Sequence, residues 1–217
     1  MKKILLGFIA IGLITFVSCS TSITDADGNT YTSVIIGEQE WMVENLRTTK
    51  YADGTPIPNV TDSNQWRDLK TGAWCNYEND SSQYEATYGK LYNWNAIKTC
   101  ELCPTGWRVP TYEEWTVLED YLTVSGHART EGTALKAASG WDKNGNGTDA
   151  YGWLGLSSGY RAGYGNFASI GQVGHFWSSS EFNTKNAHSF CLLNSCDIVF
   201  RSTDYKNFGF SVRCIKD

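Results

Sequence analysis

Cysteines are the residues of this sequence whose type and spacing could most readily do chemistry. Cys191 and Cys196 enclose four residues, and Cys100 and Cys103 enclose two. The second spacing is typical of redox motifs only in a thioredoxin-like context, which this sequence lacks. Residues 192–195 are predicted to close a hairpin, which would set the sulfurs of Cys191 and Cys196 opposite each other. We therefore interpret this pair as a structural disulfide, with a redox pair as the alternative.

A candidate metal site lies in residues 142–149. Its oxygen-bearing side chains alternate as in the first half of an EF-hand calcium loop, with Gly147 at the sixth position. The twelfth position is Trp153, so the bidentate glutamate of such a loop is missing. The sequence predicts a surface turn, and weak calcium binding is the alternative. The ligands would be Asp142, Asn144, Asn146 and Asp149; no other cofactor is expected.

Aromatic residues make up 14% of the chain, which suits a packed core or a surface that stacks on sugar rings. We assign four tryptophans to the core, namely Trp107, Trp115, Trp153 and Trp177. The rings in predicted loops, which are the candidates for ligand contact, are Trp66, Tyr84, Tyr160 and Tyr164. Hydrolase chemistry finds little support, because His127, His175 and His188 lack metal-ligand spacing. Enzymatic activity is uncertain, and binding is favoured over catalysis.

The strongest structural signal is a helix predicted over residues 111–122. Thr111 and Glu114 have the spacing of a capping box, in which each side chain accepts from a backbone N–H of the first turn. Trp115, Leu118 and Leu122 follow at helical spacing and mark the buried face.

Further helices are predicted over residues 88–97 and 133–138, and residues 57–83 are interpreted as long ordered loops. Strands are predicted at 31–36 and 41–43 and, near the end of the chain, at 175–180, 187–193, 197–201 and 208–215, with Asn194-Ser195 as a hairpin turn. Helices early, an antiparallel sheet late and no βαβ alternation predict one loop-rich α+β domain. We expect two or three short helices on an irregular antiparallel sheet.

Residues 1–18 are interpreted as an export signal, with Lys2 and Lys3 before an apolar run too short to span a membrane comfortably. Residues 16–19, Phe-Val-Ser-Cys, resemble a lipobox, so we expect Cys19 to be the first mature residue and to carry a lipid. An ordinary signal peptide is the alternative. Residues 19–28 would form a tether and residues 29–217 the domain.

The mature chain is acidic, since 16 basic residues remain against 23 acidic ones without Lys2 and Lys3. This balance argues against nucleic-acid binding. No later run is apolar for long enough to cross a bilayer, so membrane attachment rests on the lipid at Cys19. Six further cysteines in an exported chain favour disulfides over a zinc site, but their spacing does not choose among fifteen connectivities.

Several motifs together resemble the Fibrobacter succinogenes major paralogous domain family, found in exported and lipid-anchored bacterial proteins. The resemblance covers about residues 25–217. It is carried, in order, by Asp27-Gly28-Asn29-x-Tyr31, Ile36-Gly37-x-Gln39-x-Trp41-Met42-x-Glu44-Asn45-Leu46, Asp53-Gly54-Thr55, Tyr88-Gly89-Lys90-Leu91-Tyr92-Asn93-Trp94, Cys103-Pro104-x-Gly106-Trp107-Arg108-Val109-Pro110-Thr111, Phe176-Trp177-Ser178-Ser179-Ser180-Glu181 and Ser211-Val212-Arg213-Cys214. The family has no established activity, so the resemblance implies no catalytic residues.

A more distant resemblance concerns fold. Residues 108–115 and 210–214 look like parts of the formylglycine-generating enzyme and C-type-lectin-like group, which implies a single domain whose chain ends meet. The resemblance implies a Cys103–Cys214 disulfide, and Cys75–Cys100 is the remaining pair. In that enzyme a cysteine pair with the spacing of Cys191 and Cys196 binds copper and carries out the oxidation.

These observations predict an exported protein, lipid-anchored to the outer membrane or cell surface. Its domain would serve binding or adhesion without catalysis, with a glycan or another cell-surface molecule as partner. The alternatives are a copper-type oxidoreductase using Cys191 and Cys196, and a purely structural envelope protein.

Overall fold

The computed structural model describes residues 22–98 and 101–217. The predicted signal segment, Cys19 and Cys100 therefore lie outside the described residues. Within them the chain forms five α-helices, which are α1 (Ser63–Asp68), α2 (Ser81–Tyr88), α3 (Trp94–Ile97), α4 (Tyr112–Leu122) and α5 (Glu131–Leu135). The strands of the same ranges are β1 (Ile23–Thr24), β2 (Thr30–Tyr31), β3 (Ser33–Ile36), β4 (Gln39–Met42), β5 (Trp74–Cys75), β6 (Leu91–Tyr92), β7 (Trp107–Arg108), β8 (Ser158–Arg161), β9 (Phe167–Ile170), β10 (Val173–Glu181), β11 (Asn186–Leu193), β12 (Phe200–Tyr205) and β13 (Ile215–Lys216).

Two larger sheets organise the fold. One has five strands in the order β12-β11-β10-β8-β9, antiparallel except where β10 runs parallel to β8. The other has the order β3-β4-β13-β7, so the last strand of the chain lies between two strands from its first half. Ile215 of β13 pairs with Trp41 on one side and with Arg108 on the other. The α+β prediction is confirmed, and the end of the chain meets the Trp107 segment.

The predicted helix over 111–122 is confirmed as α4, with Thr111 as its N-cap. The Thr111 hydroxyl accepts from the Glu114 N–H at 3.2 Å, and the Glu114 carboxylate accepts from the Thr111 N–H at 2.8 Å. The Trp115 ring stacks on Phe190 of β11 at 4.8 Å, so the apolar face of α4 covers the five-stranded sheet. The capping box therefore starts the helix and the tryptophan fixes its position.

The predicted helix over 88–97 is wrong. Gly89 has a φ of +70° and ends α2, because a left-handed residue cannot continue a right-handed helix. The following strand β6 pairs with β5 instead. The Asn93 side chain then caps the short α3 by accepting from the Ala96 N–H at 3.1 Å. A glycine and a capping asparagine thus divide what reads as one periodic segment.

Other boundaries also differ from the predictions. The helix predicted over 133–138 occupies Glu131–Leu135, because Ala137 turns away to donate its N–H to the Gly155 carbonyl at 2.9 Å. Residues 57–83 contain α1, β5 and the start of α2 rather than loops alone. The strand predicted over 197–201 lies at Phe200–Tyr205, and of 208–215 only the end contributes to β13.

The core is held together by a disulfide and by buried guanidinium groups. Cys103 and Cys214 are bonded, with Cα atoms 6.1 Å apart across 111 residues of chain, so the predicted pairing is confirmed. Arg213 is fully buried and donates to the Asn45 side chain at 2.7 Å, with its guanidinium 4.3 Å from the Trp153 ring. Trp153, Trp115 and Trp177 are buried as predicted, whereas Trp107 is only partly covered.

A basic and aromatic groove as the candidate functional site

Cys191 and Cys196 are not bonded to each other. Cys191 of β11 is opposite Phe200 of β12, so Cys196 lies in the connecting loop and not across the strand pair. The predicted Cys191–Cys196 disulfide is therefore wrong. Burial raises the pKa of the Cys191 thiol to about 12. A thiol that stays protonated at neutral pH is a poor copper ligand and nucleophile, so the geometry gives the oxidoreductase alternative no support.

Cys75 is a buried free thiol. Burial raises its pKa to about 12, with the nearby Arg161 acting in the opposite direction. The structure thus contradicts the predicted Cys75–Cys100 bond on the Cys75 side, whereas Cys100 lies outside the described residues. The reason is that Cys75 sits on β5, inside a cluster of apolar side chains.

Residues 142–149 form the predicted turn. The Asn146 side-chain oxygen accepts from the Trp141 N–H at 3.0 Å, and an Asp149 carboxylate oxygen accepts from the Leu154 N–H at 2.7 Å. These two oxygens hold the loop backbone. Across the described part of the chain, no cluster of three or more His, Cys, Asp or Glu side chains could hold a metal ion. Weak calcium binding by this loop stays a prediction.

The predicted contact rings separate clearly in their exposure. Trp66 is fully buried, and its indole N–H donates to the Asn207 carbonyl at 2.8 Å, so its assignment to ligand contact is wrong. Tyr84 is half-buried against Tyr77, with ring centroids 5.1 Å apart. Tyr164, in contrast, is 80% exposed. The burial of Trp66 follows from its role as the anchor of α1.

Tyr164 borders a surface groove made of two adjoining clefts, which share Tyr205 and Asn207. The aromatic cleft, of about 260 Å³, is lined by Gly163, Tyr164, Tyr205, Asn207 and Phe208. The basic cleft, of about 340 Å³, is lined by Arg67, Leu69, Lys70, Asn95, Thr184, Lys185, Tyr205, Lys206 and Asn207. We call the two together the basic–aromatic groove.

The wall shared by the two clefts is a turn at residues 205–208 whose backbone is held on several sides. The Phe208 N–H donates to the Tyr205 carbonyl at 2.9 Å and closes the turn. The Lys206 N–H donates to the Lys185 carbonyl at 3.0 Å, and the Lys206 carbonyl accepts from the Trp94 N–H at 2.9 Å. Because the backbone is fixed by α3 and by the β10–β11 hairpin, the groove is preformed.

An aromatic ladder supports the exposed ring of Tyr205. Tyr205 stacks on Phe208 with centroids 6.4 Å apart and planes inclined by 19°, and Phe208 stacks on Tyr160 at 6.0 Å and 29°. Tyr160 meets His175 at 5.3 Å, and His175 stacks on the buried Phe210 at 4.3 Å. Tyr160 is thus half-buried beneath the groove, where it supports the outer rings.

Charged groups at the basic cleft are only partly paired. Arg67 donates to both carboxylate oxygens of Asp68, at 2.9 and 3.0 Å, which lowers the pKa of Asp68. Lys206 pairs with Glu181, and this hydrogen bond lowers the pKa of that carboxyl. The ammonium of Lys206 also lies 4.6 Å from the Trp94 ring.

Sequence reasoning singled out Tyr160 and Tyr164 but missed the cations of the groove. Arg67 and Lys70 are distant in sequence from Lys185 and Lys206, and they converge only because Trp66 anchors α1 to the 205–208 turn. The single local signal was the cluster Tyr205-Lys206-Asn207-Phe208, which combines aromatic, cationic and amide side chains in four residues.

Comparison with known proteins addresses the identity of the domain. No curated protein and no solved structure gives a significant match. In the part of the chain that the structure describes, no helix has the length and apolar character needed to cross a membrane. The model of the Fibrobacter succinogenes major domain matches residues 34–216, which is most of the chain, and the protein therefore belongs to this family.

Proposed function

We propose that this protein is an exported lipoprotein, anchored through Cys19 to the outer membrane or cell surface, whose domain binds glycans in the basic–aromatic groove. The single observation that carries the binding proposal is the exposed ring of Tyr205, which is 58% exposed and stacked on an ordered ladder. Sugar rings present apolar C–H faces, and flat aromatic side chains offer them contact area at low entropic cost.

Uncharged polar groups beside the rings support the same proposal. Neither Asn95 nor Thr184 uses its side chain in a hydrogen bond with the described residues, although both line the basic cleft. The Asn207 amide donates to the Gly163 carbonyl at 3.2 Å, which leaves its side-chain oxygen as an acceptor. Rings flanked by amide and hydroxyl groups are suited to fix a sugar by its faces and its hydroxyls.

A glycan array probed with the full chain, exported by a bacterial host and extracted in detergent, tests the binding proposal. Tyr205→Ala and Tyr164→Ala should each lower binding, because each removes an exposed ring from the groove. Tyr84→Ala is the control, since Tyr84 does not line the groove. The proposal fails if no glycan binds, or if the groove variants bind as the unaltered chain does.

Anchoring is tested separately by Cys19→Ser. The variant should lose metabolic labelling with a fatty acid and leave the membrane fraction, because lipidation requires the thiol. Retention in the membrane with the label intact would refute a lipid at Cys19.

We also propose that the fold belongs to the C-type-lectin-like and formylglycine-generating-enzyme-like group. Support comes from β13, which returns between β4 and β7, and from the disulfide that ties Cys103 to the chain end. An experimental structure tests this by superposition on both groups, and a different strand order around β13 would reject it.

A further inference from the structure

The basic cleft has a charge opposite to that of the whole chain. The chain carries a formal net charge of −5, yet the charged residues that line this cleft are Arg67, Lys70, Lys185 and Lys206. Within the described residues no carboxylate lines it. Random placement of charges on an acidic surface would not favour such a cluster, so the cations require an explanation.

Two of these cations form no ion pair with the described residues, although the charge of Lys70 helps to lower the pKa of Asp68. Lys70 and Lys185 are exposed and make no ion pair with any described residue. Arg67 and Lys206 are paired with Asp68 and Glu181, but both carboxylates are solvent-exposed. An incoming anion would therefore meet two ammonium groups without an ion-pair partner, one after α1 and one in the β10–β11 hairpin.

We propose that the groove selects acidic glycans, in which carboxylate or sulfate groups are attached to the sugar rings. This inference rests on the proposed glycan binding and adds its charge specificity. Tyr205 lines both clefts, so a ring stacked on it would place its acidic substituent towards Lys70 and Lys185. An acidic peptide is a weaker fit, because the rings and uncharged amides beside the cations match a chain of hydroxyl-bearing rings.

The test compares polymers that share a backbone and differ in charge, using the detergent-extracted full chain. The carboxylate arm compares polygalacturonate with its methyl ester, and the sulfate arm compares dextran sulfate with dextran. At least one charged polymer should bind about tenfold more tightly than its neutral partner, since one charge-assisted hydrogen bond has about that effect. The arm that shows the difference identifies the anionic group, and added salt should reduce it.

A charge-matched pair of variants separates recognition from general attraction. Lys70→Gln with Lys185→Gln should lower affinity for the charged polymer by about tenfold or more, through two lost charge-assisted contacts. Arg129→Gln with Lys143→Gln, exposed positions outside the groove, makes the same change in net charge and should leave affinity unchanged. Thermal melting of both variants checks that folding is intact.

The outcomes of these tests distinguish the acidic specificity from the glycan binding on which it rests. Equal binding of charged and neutral polymers overturns the acidic specificity and leaves glycan binding standing. Polyglutamate binding as tightly as the charged polysaccharides also overturns it, because an acidic polypeptide would then suffice. If no polysaccharide binds, the proposed function itself falls.

Discussion

Two clefts of similar size on this protein use their charges in opposite ways. The basic cleft has a volume of about 340 Å³, and all the charged residues that line it are cationic. The other, which we call the terminal cleft, has about 390 Å³ and lies at the end of β13. Its charged lining residues are Glu38, Glu40, Arg108, Glu114, Lys216 and Asp217.

In the terminal cleft the charged groups other than Glu38 pair with one another and connect elements of the fold. Lys216 pairs with Glu40 at 2.6 Å, and Arg108 pairs with Glu114, the residue that also completes the capping box of α4. Arg108 further donates to the Lys216 carbonyl at 3.2 Å. These side chains connect β4, β7, β13 and α4. Charged side chains that pair with one another in the terminal cleft contribute to the stability of the fold. Lys70 and Lys185 of the basic cleft form no ion pair with the described residues and remain available to a ligand.

The largest expected effect concerns the disulfide beside the terminal cleft. Replacing both Cys103 and Cys214 with Ala should lower the free energy of unfolding by about 4–5 kcal/mol, because the bond closes a loop of more than a hundred residues in the unfolded chain. Urea denaturation measures this change. Cys196→Ala, at a half-buried free thiol, is the control and should cost less than about 1 kcal/mol. A loss of that small size in the double variant would show that the bond does not hold the ends together.

An intermediate effect on the free energy of unfolding is expected when the pH is lowered. It arises from His175, which belongs to the aromatic ladder beneath the groove. Burial lowers the pKa of His175 to about 4, against the opposing field of Asp204. The neutral imidazole is therefore favoured in the folded state, so its contribution is complete above the unfolded pKa near 6.5 and is lost as the pH falls towards 4. The loss should reach about 3 kcal/mol.

His175→Phe tests this pH dependence by urea denaturation at a series of pH values. Phe keeps the stacking on Phe210 and removes a ring nitrogen that has no hydrogen-bond partner. The variant should therefore lose less stability between pH 6.5 and 4 than the unaltered protein. His127→Gln is the control and should retain the acid loss; identical pH profiles for His175→Phe and the unaltered chain would contradict the assignment.

The smallest effect is expected at the capping box of the terminal cleft. Thr111→Ala removes the hydroxyl that accepts from the Glu114 N–H and should cost about 1 kcal/mol. Thr116→Ala, a helical threonine of α4 outside the box, is the comparison and should cost less. Binding to the charged polymer should stay unchanged in both, because α4 does not line the groove. A loss of binding in Thr111→Ala would show that the two clefts are coupled.

Local sequence patterns predicted some elements of the structure correctly and mispredicted others. The capping box, the periodic Trp115 face and the α+β class were predictable, because each depends on spacing within one element. The helix over 88–97 was mispredicted because apolar periodicity outweighed Gly89, whose positive φ ends α2. Cys191 and Cys196 were misassigned because strand register depends on where β12 begins, which the loop after β11 decides.

By itself the sequence determined that this is an acidic, aromatic-rich α+β domain with a capped helix at 111–122 and the motifs of its family. Only the tertiary structure decided that Trp66 is an anchor while Tyr205 faces solvent, and that Lys70 and Lys185 share one groove. The physical reason is the difference in sequence separation between the interacting residues. Caps and periodicity act within a few residues, whereas exposure and charge clustering depend on how distant segments pack, and that packing is set by the whole core.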